Sequence, residues 1–391
     1  MKNENAVLMR FNLLQILYWC GLASMGSYCS AFMISKGMSN TRLSIMLALY
    51  MLMAFVGQFF WGSLADKKRT NKKFFILNEC FVLLLYYLIY IFSDNFLLVN
   101  IFYALLGFVI VPQASNLDSW ILKCFAHRPQ VYGPARGWAS AGFAVFMLLY
   151  GQLIQRLGYG IMPWFATVIV GGAIVVALLQ PDSPVVEGSS KGGIKFKDIA
   201  ALTKSPVYMY IIVLMLFIGL TMSPVMNMKI VVLESVGGNV SHQGIDSFFL
   251  CFFQLPFFFL AGLVRKIPQR TRILLGSCGS LIMVILDLLA VSPAMVIAGS
   301  VFHGVGYSIL LPTIREIVEQ KVDPAIKTTA HGLCDAVYGS LAGIVSLLYV
   351  GSLIDAAGTT PVFIISICTG SVALILGIIY FIKTLRKLRA A

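Results

Sequence analysis

Runs of about twenty apolar residues recur from one end of this chain to the other, and this recurrence limits the possible folds more than any other feature. The chain has 391 residues, 59% hydrophobic and 12% charged, against roughly 25% charged in an ordinary soluble domain. No single aqueous core can hide that much apolar surface. A bilayer can, and each crossing takes about 20 residues of helix. Backbone groups in hydrocarbon must be satisfied within their own segment, so the crossings are helices. The expected fold class is therefore an all-α membrane protein with twelve transmembrane helices. They are placed at 11–34, 42–64, 74–92, 96–120, 133–154, 161–179, 206–233, 245–264, 273–291, 295–318, 330–354 and 362–382.

Charge sits between these runs. The net charge of +13 has no soluble domain to carry it, which argues against nucleic acid as a partner. Lys67, Lys68, Arg69, Lys72 and Lys73 fall between the second and third runs. Arg265, Lys266, Arg270 and Arg272 fall between the eighth and ninth, and Lys383, Arg386, Lys387 and Arg389 close the chain. The alternate loops Ser93-Asp94-Asn95 and Ser292-Pro293-Ala294 hold no cation. The positive-inside rule then puts both termini in the cytoplasm, with the protein in the cytoplasmic (inner) membrane. The first run is too long for a signal-peptide core and reads as a span. Eight cysteines occur singly with no CxxC pair, so neither a disulfide frame nor a metal site is expected.

The longest polar stretch, Gln180 to Pro206, holds Pro181, Pro184, three glycines and several lysines before the seventh run. It divides the chain into a six-helix bundle at 1–180, a cytoplasmic linker at 181–205 and a second six-helix bundle at 206–391. A faint repeat supports the division: Gly151-Gln152-Leu153-Ile154 with Gly158 returns as Gly351-Ser352-Leu353-Ile354 with Gly358. Parallel six-helix halves are a transporter plan in which substrate binds near the midplane.

Two stretches carry a family resemblance. Gly62-Ser63-Leu64-Ala65-Asp66, followed by Lys72 and Lys73, resembles the loop signature of the major facilitator superfamily, and it stands after the second span as that loop does. Lys68-Arg69-Thr70 replaces the usual glycine-bearing turn. The run from Tyr132 through Arg136 to Phe143 resembles the start of the fifth helix in the oligosaccharide- and nucleoside–proton symporters of the lactose permease-like branch. Phe302-His303-Gly304, Ala330-His331-Gly332-Leu333 and the region of Tyr18 are similar to that branch too. The resemblance implies two pseudo-symmetric bundles that work by alternating access, and a cytoplasmic gate at Gly62, Asp66, Lys72 and Lys73.

Ionisable groups inside spans are functional candidates because hydrocarbon penalises them. Asp118 lies about ten residues before the turn joining spans four and five, and Arg136 about eight after it. At the helical rise both reach a depth of roughly 12–15 Å, where an antiparallel hairpin can hold them side by side. The resemblance implies that Asp118 and Arg136 hold substrate hydroxyls; the alternative is a structural ion pair. It likewise places Phe143 against a sugar face, the alternative being a core or lipid contact. His303 falls in the branch's binding and proton-coupling cluster, but Gly306 stands where that cluster has a carboxylate. The branch's acid in the eighth span is also missing, and Gln254 is the nearest polar residue there. The alternative for His303 is one interhelical hydrogen bond. Asp335, early in the eleventh span, is a candidate carrier if it is desolvated and faces the central cavity; otherwise it partners a cation or caps its helix. Asp118 is the remaining proton-coupling candidate. Glu79 and Asp287 rank lower, Lys229 can snorkel, and Arg315 and Glu316 belong to the gate end.

No nucleophile–base pair, phosphate loop or nucleotide motif occurs in the sequence, so no enzyme activity and no cofactor are expected. The expected function is proton-coupled uptake of a small polar solute, sugar-like or nucleoside-like. The proton gradient would drive it, and the partners would be solute, protons and lipid around a monomer. The rival readings are a proton-coupled exporter of lipophilic compounds and, further off, a membrane sensor that no longer transports.

Overall fold

The computed structural model describes residues 2–68, 70–128, 131–183, 202–259, 264–323 and 326–390. The chain divides into two compact units, Met1–Gly193 and Ile194–Ala391. In the first, α1 (Lys2–Leu22) passes through a π-helical turn at Ala23–Ser27 into α2 (Cys29–Ser35). Then come α3 (Asn40–Lys68), α4 (Lys72–Ile91), α5 (Phe96–Cys124), α6 (Tyr132–Leu157) and α7 (Met162–Leu178). The second unit begins with α8 (Pro206–Asn227), α9 (Lys229–Ser235), α10 (Val240–Phe259), α11 (Gln269–Leu288) and α12 (Pro293–Lys321). In α13 (Lys327–Asp335) the chain enters a second π-helical segment, Ala336–Leu341, and continues as α14 (Ala342–Ala357) and α15 (Thr360–Ala390).

Among the described residues eleven helical stretches are long and apolar enough to cross a membrane, and the chain is an integral membrane protein. The expected eighth span needs its bounds corrected. It is α10, beginning at Val240 rather than 245, and its first turns carry Ser241, His242, Gln243 and Asp246. Residues 260–263 of that expectation, and 184–201 of the expected linker, lie outside the described residues. The first helix also starts earlier than hydropathy suggests, at Lys2, because helix geometry continues past the apolar window.

Helix ends follow local chemistry. Asn95 accepts a hydrogen bond from the Leu98 amide (3.2 Å) and opens α5. Ser205 does the same for Tyr208 (3.4 Å), just ahead of Pro206 at the first position of α8. Each side-chain acceptor satisfies an amide that the helix itself leaves unpaired. Gly158 (φ 77°) ends α6 and Gly358 (φ 75°) ends α14, in the left-handed region that favours glycine.

These stops make the internal repeat plain. Gly37 (φ 83°) and Gly237 (φ 79°) are 200 positions apart, as are Gly158 and Gly358. Between those markers the register slips by three. The starts of α4 and α11, Lys72 and Gln269, and the N-caps of α5 and α12, Asn95 and Ser292, are each 197 apart. Helices α5 and α12 are both 29 residues long, with a proline inside each.

The first unit contains a reciprocal cap. Asp182, just beyond α7, accepts from the Thr70 hydroxyl (2.7 Å) and from the Lys72 amide at the start of α4 (3.3 Å). In return the Lys72 ammonium donates to the carbonyls of Leu178 and Gln180 at the end of α7, both at 2.7 Å. A carboxylate at a helix start and an ammonium at a helix end both oppose the helix dipole favourably. Partial burial pushes the Asp182 carboxyl up, but hydrogen bonds from Thr70, Ser183, Lys72 and Asn71 outweigh this and hold it below the ordinary aspartate value.

Within the first unit α3 and α5 cross at backbone contact. A Cβ on Gly107 would stand 2.3 Å from the Tyr50 carbonyl oxygen, whereas one on Gly62 would meet nothing within 4 Å. Gly107→Val is therefore expected to destabilise the detergent-solubilised protein by about 1–3 kcal/mol, the usual penalty of overpacking, and Gly62→Ala to leave its melting temperature unchanged. Equal melting temperatures for the two variants would refute the close crossing. Asp182 yields a pH prediction. Its folded-state value is depressed, so its contribution is complete above the unfolded aspartate value and fades as pH falls through the folded one. Asp182→Ala should cost about 1 kcal/mol at neutral pH, and wild type and variant should converge in thermal stability as the medium is acidified below about pH 4.

Candidate functional site

In the first unit three helices bring polar groups to one place. From α1 come Gln15, Tyr18 and Trp19, from α5 Asp118, and from α6 Tyr132, Arg136 and Phe143. Gln15 is fully buried and its amide donates to Asp118 Oδ1 at 2.9 Å. The Tyr132 hydroxyl donates to Asp118 Oδ2 at 2.8 Å. The Arg136 guanidinium lies over the Trp19 ring, 4.2 Å from its centroid, a cation–π geometry. Phe143 stands edge-on to the same indole at 6.4 Å. Close packing of α1 on α6 sets this arrangement: Ile16 leaves so little room at Gly142 that a Cβ there would stand 2.7 Å from it. The Tyr18 phenol is within electrostatic reach of Glu79, Asp118 and Arg136 and donates to the Ile110 carbonyl (2.9 Å).

This geometry runs against the alternative reading of Asp118 and Arg136 as a structural ion pair. Neither residue forms a salt bridge among the described residues, because α1 supplies each charge with its own partner, Gln15 for the acid and Trp19 for the base. The hairpin estimate matched depths along two helices but could not see the third helix. Among the described residues two buried atoms at the site, Gln15 Oε1 and Trp19 Nε1, have no hydrogen-bond partner. An acceptor and a donor thus remain available beside a half-buried carboxylate, a half-buried guanidinium and two aromatic faces. Such a set can hold hydroxyl or amide groups of a ligand while stacking on a flat face of it.

Of the expected gate residues, Lys72 serves the reciprocal cap. The Lys73 amide donates to Thr70 Oγ1 (3.4 Å). Gly62 sits in open space within α3. The Asp66 side chain lies outside the described residues.

In the second unit His303 is buried on α12, its Nδ1 3.1 Å from the Ser280 hydroxyl of α11. Gln254 of α10 is half-buried and packs beside Gly304 of α12. Asp335 does not meet the condition set for a desolvated proton carrier. Its side chain is 51% exposed and paired with Arg315 at 2.6 Å. Around it Glu316 binds Arg272 (2.9 Å), and Glu319 binds Lys327 (2.8 Å) and His331 (3.0 Å). Arg265, Arg315, Glu316 and Glu319 line an open cleft there. Asp335 belongs to this charged end because Arg315, twenty positions earlier, comes within reach once α12 and α13 meet.

Sequence reasoning missed Asp246 and underrated Lys229 and Asp287. Lys229 does not snorkel: it is 6% exposed. Its ammonium is 2.9 Å from Ser300 Oγ and 3.9 Å from Asp246 Oδ1. The available signal was an acid at the seventh position of a helix that ends in phenylalanines, at a depth where charge is costly.

The comparisons with known proteins agree with the fold. A maltose permease from Geobacillus stearothermophilus is 23% identical over 371 residues, covering 90% of this chain and 88% of that protein. Among solved structures the nucleoside transporter NupG superposes with a TM-score of 0.80 at 14% identity, covering 96% of this chain and 98% of NupG. A POT family transporter in complex with 5-aminolevulinic acid gives a TM-score of 0.69 at 15% identity, covering 96% and 95%. At such identities the structures show the fold alone, which is the helical fold of the major facilitator superfamily. The model of the MFS_1-like family matches residues 8–365, so the chain belongs to that family and is a major facilitator transporter rather than an enzyme.

Proposed function

We propose that the protein is a proton-coupled symporter that works by alternating access and takes up a small polar solute with hydroxyl groups beside a flat face, sugar-like or nucleoside-like. The observation that carries this reading is the site in the first unit. A carboxylate is held by Gln15 and Tyr132, and a guanidinium lies on an indole. One acceptor, Gln15 Oε1, and one donor, Trp19 Nε1, have no partner among the described residues. Asp118 would accept from solute hydroxyls, Arg136 would donate to them, and Trp19 with Phe143 would take the flat face. The relative named a maltose permease and the neighbour named a nucleoside transporter fit the same solute class. The basic loops and C-terminal tail favour cytoplasmic termini in the inner membrane, with the site reached from either side in turn.

Uptake into proteoliposomes tests this. Against a panel of sugars and nucleosides, Asp118→Asn and Arg136→Gln should each lower uptake of the accepted solute by about 10- to 100-fold, the cost of losing a charged hydrogen-bond partner. Tyr132→Phe should lower it by only a few-fold, since Gln15 still holds Asp118. All three variants should keep wild-type elution in detergent. Normal uptake by both charge variants would rule out the site. A wild type that moves only lipophilic cations outward, releasing protons inward, would establish the exporter instead.

A further inference from the structure

At the end of the second unit away from its basic loops, four helices turn ionisable side chains inward: Lys229 from α9, Asp246 from α10, Asp287 from α11 and His303 from α12. Asp246 and Asp287 are each 2% exposed. The Ser300 hydroxyl links Lys229 to Asp246, accepting from the ammonium at 2.9 Å and donating to the carboxylate. At 3.9 Å the direct Lys229–Asp246 pair is loose. Asp287 is in the less usual position: among the described residues neither of its carboxylate oxygens has a hydrogen-bond partner, and Asp246 Oδ1 has none either. An ionised carboxylate without donors in such a place costs several kcal/mol, so Asp287 calls for a positive ligand.

The internal repeat shows that the fold does not require these charges. The positions in the first unit that correspond to Lys229, Asp246, Asp287 and Ser300 hold Cys29, Met46, Tyr90 and Tyr103, all neutral. The reverse comparison holds too. The buried pair Glu79 and Gln113 of the first unit, joined at 2.9 Å, corresponds to Gly276 and Leu310, which pack directly on each other. One architecture thus accepts either filling, and the ions are an addition specific to the second unit.

The packing indicates which cation fits. A Cβ on Gly299 would stand 3.3 Å from Asp287 Oδ1 and 3.1 Å from the Met283 carbonyl. Val225, Val232, Leu233, Met283, Val284, Val296 and Phe363 form the apolar cluster of this end. A metal ion needs a shell of oxygen ligands, whereas a proton needs none. The charged groups that reach Asp287 from its neighbours are Lys229 and Asp246, and Lys229 also acts on His303. No charged residue occurs in α8, and those of α15 begin at Lys383.

We propose that Asp287 is the group that takes up and releases the driving proton, with the Lys229–Asp246 pair as its electrostatic counterpart. When Asp287 binds the proton at a carboxylate oxygen, Lys229 is left to Asp246 and Ser300. When the proton leaves, the ammonium is shared between the two carboxylates. The proposal rests on the reading of the protein as proton-driven.

The test uses the full chain in lipid. Infrared titration of wild type against Asp287→Asn should show a carboxylic-acid carbonyl band, present at low pH and lost on alkalinisation, that the variant lacks. In proteoliposomes Asp287→Asn should lose proton-driven accumulation by about tenfold or more while still exchanging solute in counterflow. Asp287→Glu, which keeps the carboxyl, should retain the band at a shifted frequency and remain coupled, which controls for misfolding in the asparagine variant. An unchanged band or undiminished accumulation in Asp287→Asn overturns the proposal. So does accumulation that follows a sodium gradient and requires Asp287. If the wild type moves no solute under any gradient, the uptake reading fails, and the infrared difference alone still decides whether Asp287 binds the proton.

Discussion

Inside hydrocarbon a peptide group that lacks an internal partner costs several kcal/mol, so every crossing segment closes its hydrogen bonds on itself. The other features of this molecule work within that requirement. Helices run past the apolar windows, as α1 does from Lys2 and α5 to Cys124. They stop where glycines at positive φ or side-chain caps take over the last open groups. Even the irregular places, the π-helical segments at Ala23–Ser27 and Ala336–Leu341, change the ladder's spacing rather than open it.

With the backbone closed, side-chain polarity becomes the variable part, and the two units use it differently. The first gathers Gln15, Asp118, Tyr132, Arg136 and Trp19 around unmatched hydrogen-bonding atoms, a ligand-holding arrangement. The second gathers Lys229, Asp246 and Asp287 behind an apolar cluster, a charge-balancing arrangement. Both units follow the same order of helices, and the second unit's Lys229, Asp246 and Asp287 have the neutral counterparts Cys29, Met46 and Tyr90 in the first.

Much of this was legible in the sequence. Apolar runs about twenty residues long gave the helix count, because the bilayer sets one length for all of them. The polar start of α10 blurred its bounds, since Ser241, His242, Gln243 and Asp246 break the apolar signal while the helix itself continues. Asp118 and Arg136 stood out as charges in spans, but their partners did not. Gln15 is 103 positions from Asp118 and Trp19 is 117 from Arg136, and only the packing of α1 brings them near. Asp335 misled in the opposite way: its place early in the eleventh span made a desolvated carrier conceivable, whereas Arg315 meets it from another helix.

The reciprocal cap between Lys72 and Asp182 has a practical meaning for anyone who re-engineers this chain. Each residue closes the other's helix, so the short loop ahead of α4 and the strand of chain leaving α7 behave as one joint. A tag, a crossover between homologues or a cut placed in either disturbs both helices. The turns at 92–95 and 289–292 carry no such cross-link among the described residues beyond the ion pair of Asp94 with Lys36, and they are the better ports for insertion.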